Sequence, residues 1–238
     1  MTPKVQKVTI AGREFLLDRT GAEPGPGVTL NSATRDSGNT PTTQLRPALV
    51  VGKHASNGTF YEADHASVKK SAPATVTSTI DIGAGAASKT FKFLTDPAGP
   101  EFTVTLGAGD NTTALVVTAL NANAQFAAAL FAKASASTLV IESRNVSSEG
   151  YFKITNGTLN DQGGADQDTF VDNVEYRGTD GEYYVLDEPF VDMLDDAGTA
   201  SDQVAGKTIR RGNFDTSQLL KLSEDAKKVF LRRGSYFD

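Results

Sequence analysis

The sequence predicts a mainly β protein with minor α content, whose body is interrupted by a small inserted α+β domain. Three observations predict it. Short apolar runs recur between glycine- and proline-rich turns, a strand pattern rather than a helical one. The apolar supply is modest, 39% with 13 Phe and no Trp, and spreads over thin β-layers more readily than it fills one deep core. The charge is unevenly placed. Residues 73–175 hold 5 basic and 11 acidic side chains and so carry the whole net charge of −6, while the flanks together are neutral. A block with its own charge balance reads as a separate module.

Taken in order, 4–10 and 14–17 read as short strands broken at Gly12, forming an amino-terminal segment, 1–17. Residues 18–46 follow, with Pro24, Pro26 and Pro41 and four glycines, and without periodicity. A connection this long is functional or disordered. It is expected to be mobile in the free protein and to extend along a partner, with Val28, Leu30 and Leu45 as its sizeable apolar side chains and Arg46 at its end. The run 47–53 is a compact strand, Asn57-Gly58 marks a hairpin turn, and 60–62 is the return strand.

Within 73–175, residues 89–94 and 102–106 form a hairpin, with Phe102, Val104 and Leu106 on one face. Asn111 caps a helix over 112–122, where Leu115 with Ala119 and Val116 with Leu120 are i,i+4 pairs. A second hairpin runs 128–134 to 138–142, and 151–155 adds a strand. The order is hairpin, helix, hairpin, strand. The body resumes over 176–238 and, with 47–72, completes the flanks. Strands are expected at 183–186 and 207–210, a short helix capped by Asp215 and holding Leu219, Leu220 and Leu222, and a last helix from Ser223 to Gly234.

Chemistry is sparse. There is no cysteine, and His54 and His65 are the only histidines, read as surface hairpin residues. The Gly83–Ser88 stretch is followed by a strand pattern instead of the helix a dinucleotide loop needs. Asp161, Asp166 and Asp168 fit no calcium-loop spacing. Asp192, Asp195 and Asp196 read as an exposed loop. No catalytic, cofactor-binding or metal-binding residue is assigned, and the protein is not expected to be an enzyme. The acidic balance argues against nucleic acid, and no run is long and apolar enough to cross a membrane as a helix. The first seven residues lack an apolar segment, so no secretory leader is expected. Arg210-Arg211 and Arg232-Arg233 each precede a glycine. They are either solvated helix-end and strand-edge charges or forks for carboxylates of a neighbouring subunit.

The run from Leu45 to Lys53, closed by Gly58 to Tyr61, resembles the opening of the lambda-type phage head decoration (capsid cement) proteins, a "pro-gly-x-val-leu-gly" strand leading to a glycine turn and an aromatic. Tyr184 to Glu188 with Val191-Asp192 is similar to that family's "gly-val-leu-leu-glu-asp-val-asp" stretch. Ile209 to Phe214 with Leu219-Leu220 is similar to its "arg-gly-x-val-x-x-x-x-leu" ending. Ala48 stands where the family has glycine, and Tyr184 and Pro189 replace smaller or aliphatic residues. The resemblance implies a β-tulip-like body, a homotrimer and a place on the outer capsid surface at threefold or quasi-threefold junctions, with the major capsid protein as partner. On this reading Val28, Leu30, Leu45 and Arg46 meet the capsid, and Arg210, Arg211, Arg232 and Arg233 meet neighbouring subunits. The block 104–109 with 115–122 resembles modules of phage tail sheaths and flagellin-like surface proteins. That likeness supplies the alternative expectation of a tail or fibre adhesin that binds host glycan through the insert.

Overall fold

The computed structural model describes residues 15–78, 85–155, 157–159, 170 and 173–238. The strand expected at 4–10, the start of the 83–88 loop and the 161–168 acidic loop lie outside them. The chain divides into two compact units, Met1–Lys70 with Gly181–Asp238, and Ser71–Asp180. The first unit opens with β1 (Leu16–Gly25), β2 (Val28–Leu30), β3 (Gln44–Leu45), β4 (Val50–Lys53) and β5 (Phe60–Glu62). The second holds β6 (Thr75–Thr77), β7 (Thr90–Leu94), β8 (Phe102–Thr105), α1 (Thr113–Ala122), α2 (Ala124–Ala129), β9 (Leu130–Ser135), β10 (Thr138–Ser143), β11 (Tyr151–Thr155) and β12 (Glu175–Arg177). The chain then returns with β13 (Tyr183–Leu186), β14 (Val191–Asp192), β15 (Gln203–Ala205), β16 (Thr208–Phe214), α3 (Glu224–Arg232) and β17 (Tyr236–Phe237).

In the first unit one sheet runs β1-β16-β13-β4-β5-β2-β15, with β17 parallel beside β16. Of its middle strands, β13 is buried at every position and β4 at all but Lys53, because both faces are covered. Val50, Tyr183 and Val185 face one core, closed by Ala226, Val229 and Phe230 of α3. Leu49, Val51, Tyr184 and Leu186 face the other. That second face is closed by Val28, Leu30 and Leu45, together with Met193. The 18–46 stretch is therefore not a free arm; it supplies β1 and β2 of the sheet and β3 beside it, and its Val28, Leu30 and Leu45 complete the second core. The physical reason is that β13 needs two apolar layers, and α3 supplies one.

Two further expectations change. Residues 215–222 form no helix, because the Leu220 backbone is held extended: its N–H donates to Ala48 O (3.0 Å) and its carbonyl accepts from Val50 N (2.9 Å). The helix expected from 112 is capped by Thr112, whose hydroxyl accepts from Leu115 N, rather than by Asn111. The last helix keeps its Ser223 cap and stops before Gly234, which sits at φ +80.

The second unit packs two sheets, β6-β10-β9 and β12-β11-β7-β8, with α1 and α2 around one core. Alternation on β7 buries Phe91 and Phe93 and leaves Lys92 toward solvent. Asn123 ends α1 and starts α2, its side chain accepting from Phe126 N at 3.0 Å. At the base Ala72 and Thr179 exchange both backbone hydrogen bonds, 2.8 and 2.9 Å, so the chain enters and leaves this unit on adjacent strands.

Ala48 adopts φ +70 while wholly buried. The left-handed region costs alanine about 1 kcal/mol. Glycine would remove that cost but forfeit a buried methyl worth about 0.8 kcal/mol and loosen the unfolded chain by about 0.4–1 kcal/mol. Ala48→Gly should therefore stay within about 1 kcal/mol of the parent in urea unfolding. Ala48→Val adds β-branching at positive φ to a filled core and should cost about 3 kcal/mol. Equal stability of the two variants would refute this account.

Candidate interaction surface

The predicted capsid-contact residues fall into two groups. Val28, Leu30 and Leu45 are buried in the chain's own core against Leu49, Val51, Phe60 and Tyr184. They have no surface to offer a partner groove, and the expectation that they meet a capsid is corrected on that ground. Arg46 is held inside the chain as well. Its Nε donates to Asp36 Oδ2 at 2.6 Å and its Nη2 to Asp36 Oδ1 at 2.9 Å, a two-pronged pair in which Asp36 is 2% and Arg46 27% exposed. Gly38 lets the guanidinium lie over the turn, since a β-carbon there would come within 2.6 Å of Arg46 Nη2. Burial pushes the Asp36 carboxyl up, but Arg46 and the backbone N–H groups of Gly38 and Arg46 outweigh it and hold it below the ordinary 3.8.

The predicted subunit-contact arginines also have partners within the chain. Arg210 Nη1 and Arg211 Nε lie 3.2 and 3.6 Å from the two oxygens of Glu23, in register with β1, and all three side chains stay about half exposed. Two cations share one carboxylate there. Arg233 Nη1 donates to Tyr183 O at 2.7 Å, and its guanidinium lies over Tyr184 (5.7 Å) and Phe230 (5.9 Å), so it braces α3 against β13. Arg232 lies half-buried in the last turn of α3. The histidines are likewise half-buried and flank Tyr61, with ring centroids 5.3 Å (His54) and 4.5 Å (His65) away. Asp192 lies in β14, and Asp195 folds its own loop by accepting from Ala197 and Thr199 N–H.

The structure adds residues that sequence reasoning missed. Leu17 on β1 and Tyr236 on β17 are 55% and 71% exposed. Asn213 of β16 pairs with Tyr236 on one side and Asp18 on the other, so these two apolar groups flank the strand that carries Arg210 and Arg211. The dipeptides Leu16-Leu17 and Tyr236-Phe237 held the signal. On an alternating strand one residue of each must face away from the core.

No protein-family model matches the chain, and no curated protein matches it. Among solved structures, it is similar to the D2–D3 domains of the flagellar cap protein FliD from Serratia marcescens, 12% identical, covering 78% of this chain and 94% of that one, with a TM-score of 0.37. It is also similar to the D1–D2–D3 domains of FliD from Escherichia coli, 13% identical, covering 81% and 56%, with a TM-score of 0.38.

Proposed function

We propose that this chain is a non-catalytic structural protein of a phage head, which decorates the outer capsid surface and stabilises the assembled shell. One observation carries the reading. The decoration-like stretches near 45–61 and 183–214, remote in sequence, are neighbours in one sheet: Val51 pairs with Tyr184, and Val185 with Ile209. The body is continuous in space although Ser71–Asp180 interrupts it in the chain. On this reading the shell meets the accessible face around Leu17, Arg210, Arg211 and Tyr236, with a homotrimer at threefold positions and the major capsid protein as partner. Binding only the assembled state stabilises that state by mass action.

The test mixes purified protein with expanded heads that lack it. Saturable binding at threefold positions is expected by pelleting and microscopy. Reversing Arg210 and Arg211 to glutamate should weaken that binding at least about tenfold, because like charge at an interface costs more than 1.4 kcal/mol. Absence of binding at micromolar protein, or binding to tails alone, would overturn the proposal.

A further inference from the structure

The Ser71–Asp180 unit holds a cleft of about 370 Å³ between the end of α2, the end of β10 and the following turn. That volume lies in the range of small-ligand sites. Arg144 forms one wall, and three contacts fix it. Its backbone N–H donates to Ala129 O at 2.8 Å, its Nε donates to Ala127 O at 2.5 Å, and its guanidinium lies 5.7 Å from the Phe131 ring centroid. Neither Nη group has a protein partner among the described residues. The guanidinium is thus oriented before any ligand arrives, with its terminal pair of nitrogens open. That end is the planar, two-pronged donor that a carboxylate matches and a point charge does not. Fixing it in advance removes much of the ordering cost of binding.

Glu149 lines the same cleft with an exposed side chain. It would repel a bare anion, so a ligand held by Arg144 must also bring hydrogen-bond donors. Thr95 and Asn145 add a hydroxyl and an amide to the lining, and Ala128 and Ala129 add an apolar strip. The turn is folded tightly, since a β-carbon on Gly150 would come within 2.3 Å of Asn145 O. A carboxylate, several hydroxyls and one apolar ring face occur together in the acidic sugars. We propose that this cleft binds an acidic sugar of the hexuronate type, with the carboxylate on the Arg144 fork, hydroxyls on Glu149, Thr95 and Asn145, and the ring against the two alanines. A free amino acid would satisfy Arg144 and Glu149 but leave the neutral groups and the apolar strip unused. The proposal goes beyond capsid attachment and does not depend on it.

The whole protein, isotopically labelled, is titrated by NMR with glucuronate, with glucose and with alanine. Glucuronate should give saturable shifts at residues 95, 128, 129 and 143–151, with a dissociation constant on the order of 1 mM, as for a single small contact set. Glucose and alanine should not. Arg144→Lys keeps the charge but loses the fork, and should weaken binding at least about tenfold. Phe131→Ala frees the guanidinium and should weaken it less, and the spectrum itself reports whether each variant is folded. Equal response to glucose, binding of alanine in place of glucuronate, or undiminished binding by Arg144→Lys would each overturn the proposal.

Discussion

Arg46→Ala is expected to lower the unfolding free energy of the unit built from Met1–Lys70 and Gly181–Asp238 by about 3 kcal/mol at neutral pH, the lower end of the range for breaking a buried pair. The loss comes less from the missing attraction than from what remains. Asp36 is 2% exposed, and without its partner it is a buried charge held only by backbone N–H groups. The quarter exposure of Arg46 is the reason to expect the lower end. In the parent the Asp36 carboxyl lies below its ordinary value. The pair's contribution is therefore complete above the unfolded aspartate range and is lost as pH falls through the lower, folded value. The variant has the opposite dependence. With Arg46 gone, burial dominates and raises the Asp36 carboxyl, so mild acid neutralises it in the folded state. The deficit should then narrow between about pH 7 and pH 4. Urea unfolding at both pH values measures this. Asp36→Asn added to Arg46→Ala should recover a large part of the loss, since it removes the orphaned charge. A deficit under about 1 kcal/mol, or one that widens in acid, would show that the pair does not hold the 31–46 turn in place.

Phe126→Ala should be at least as damaging, by about 3–5 kcal/mol, and confined to Ser71–Asp180. Phe126 is fully buried, with edge-on contacts to Phe91 (6.0 Å, 70°) and Phe93 (5.5 Å, 79°). It is the buried residue of a six-residue helix, too short to persist without packing. Its removal leaves a cavity between β7 and α2 and detaches α2 from the core. Hydrogen exchange should show lost protection over 89–155, with β4 and β13 unchanged, because the two units have separate cores. Loss of protection in β4 and β13 at the same level would mean that the units unfold as one, against this prediction.

Much of the local structure was legible in the sequence. Alternation located β7 and β8, a short apolar run located β10, and the Ser223 and Gly234 signals bounded α3, because those choices depend on neighbours within a turn or two. The mainly β class with minor helix followed from the same patterns. The short α2 was not legible, since Ala124–Ala129 offers few periodic positions and reads equally as strand flank. Nor was the fate of 18–46. A Pro- and Gly-rich run with a few scattered apolar residues is locally indistinguishable from a linker, and only the second apolar face of β4 and β13 demands that it fold. The placement of the candidate contact residues followed suit. Apolar side chains in such a run look available for a partner until the sheet beside them is known to need a second cover. Sequence by itself determined elements such as β7, β8 and α3, through backbone propensity, capping and period. Tertiary structure decided which of them cover which face, because burial of an apolar layer is a property of the whole sheet and of no segment alone.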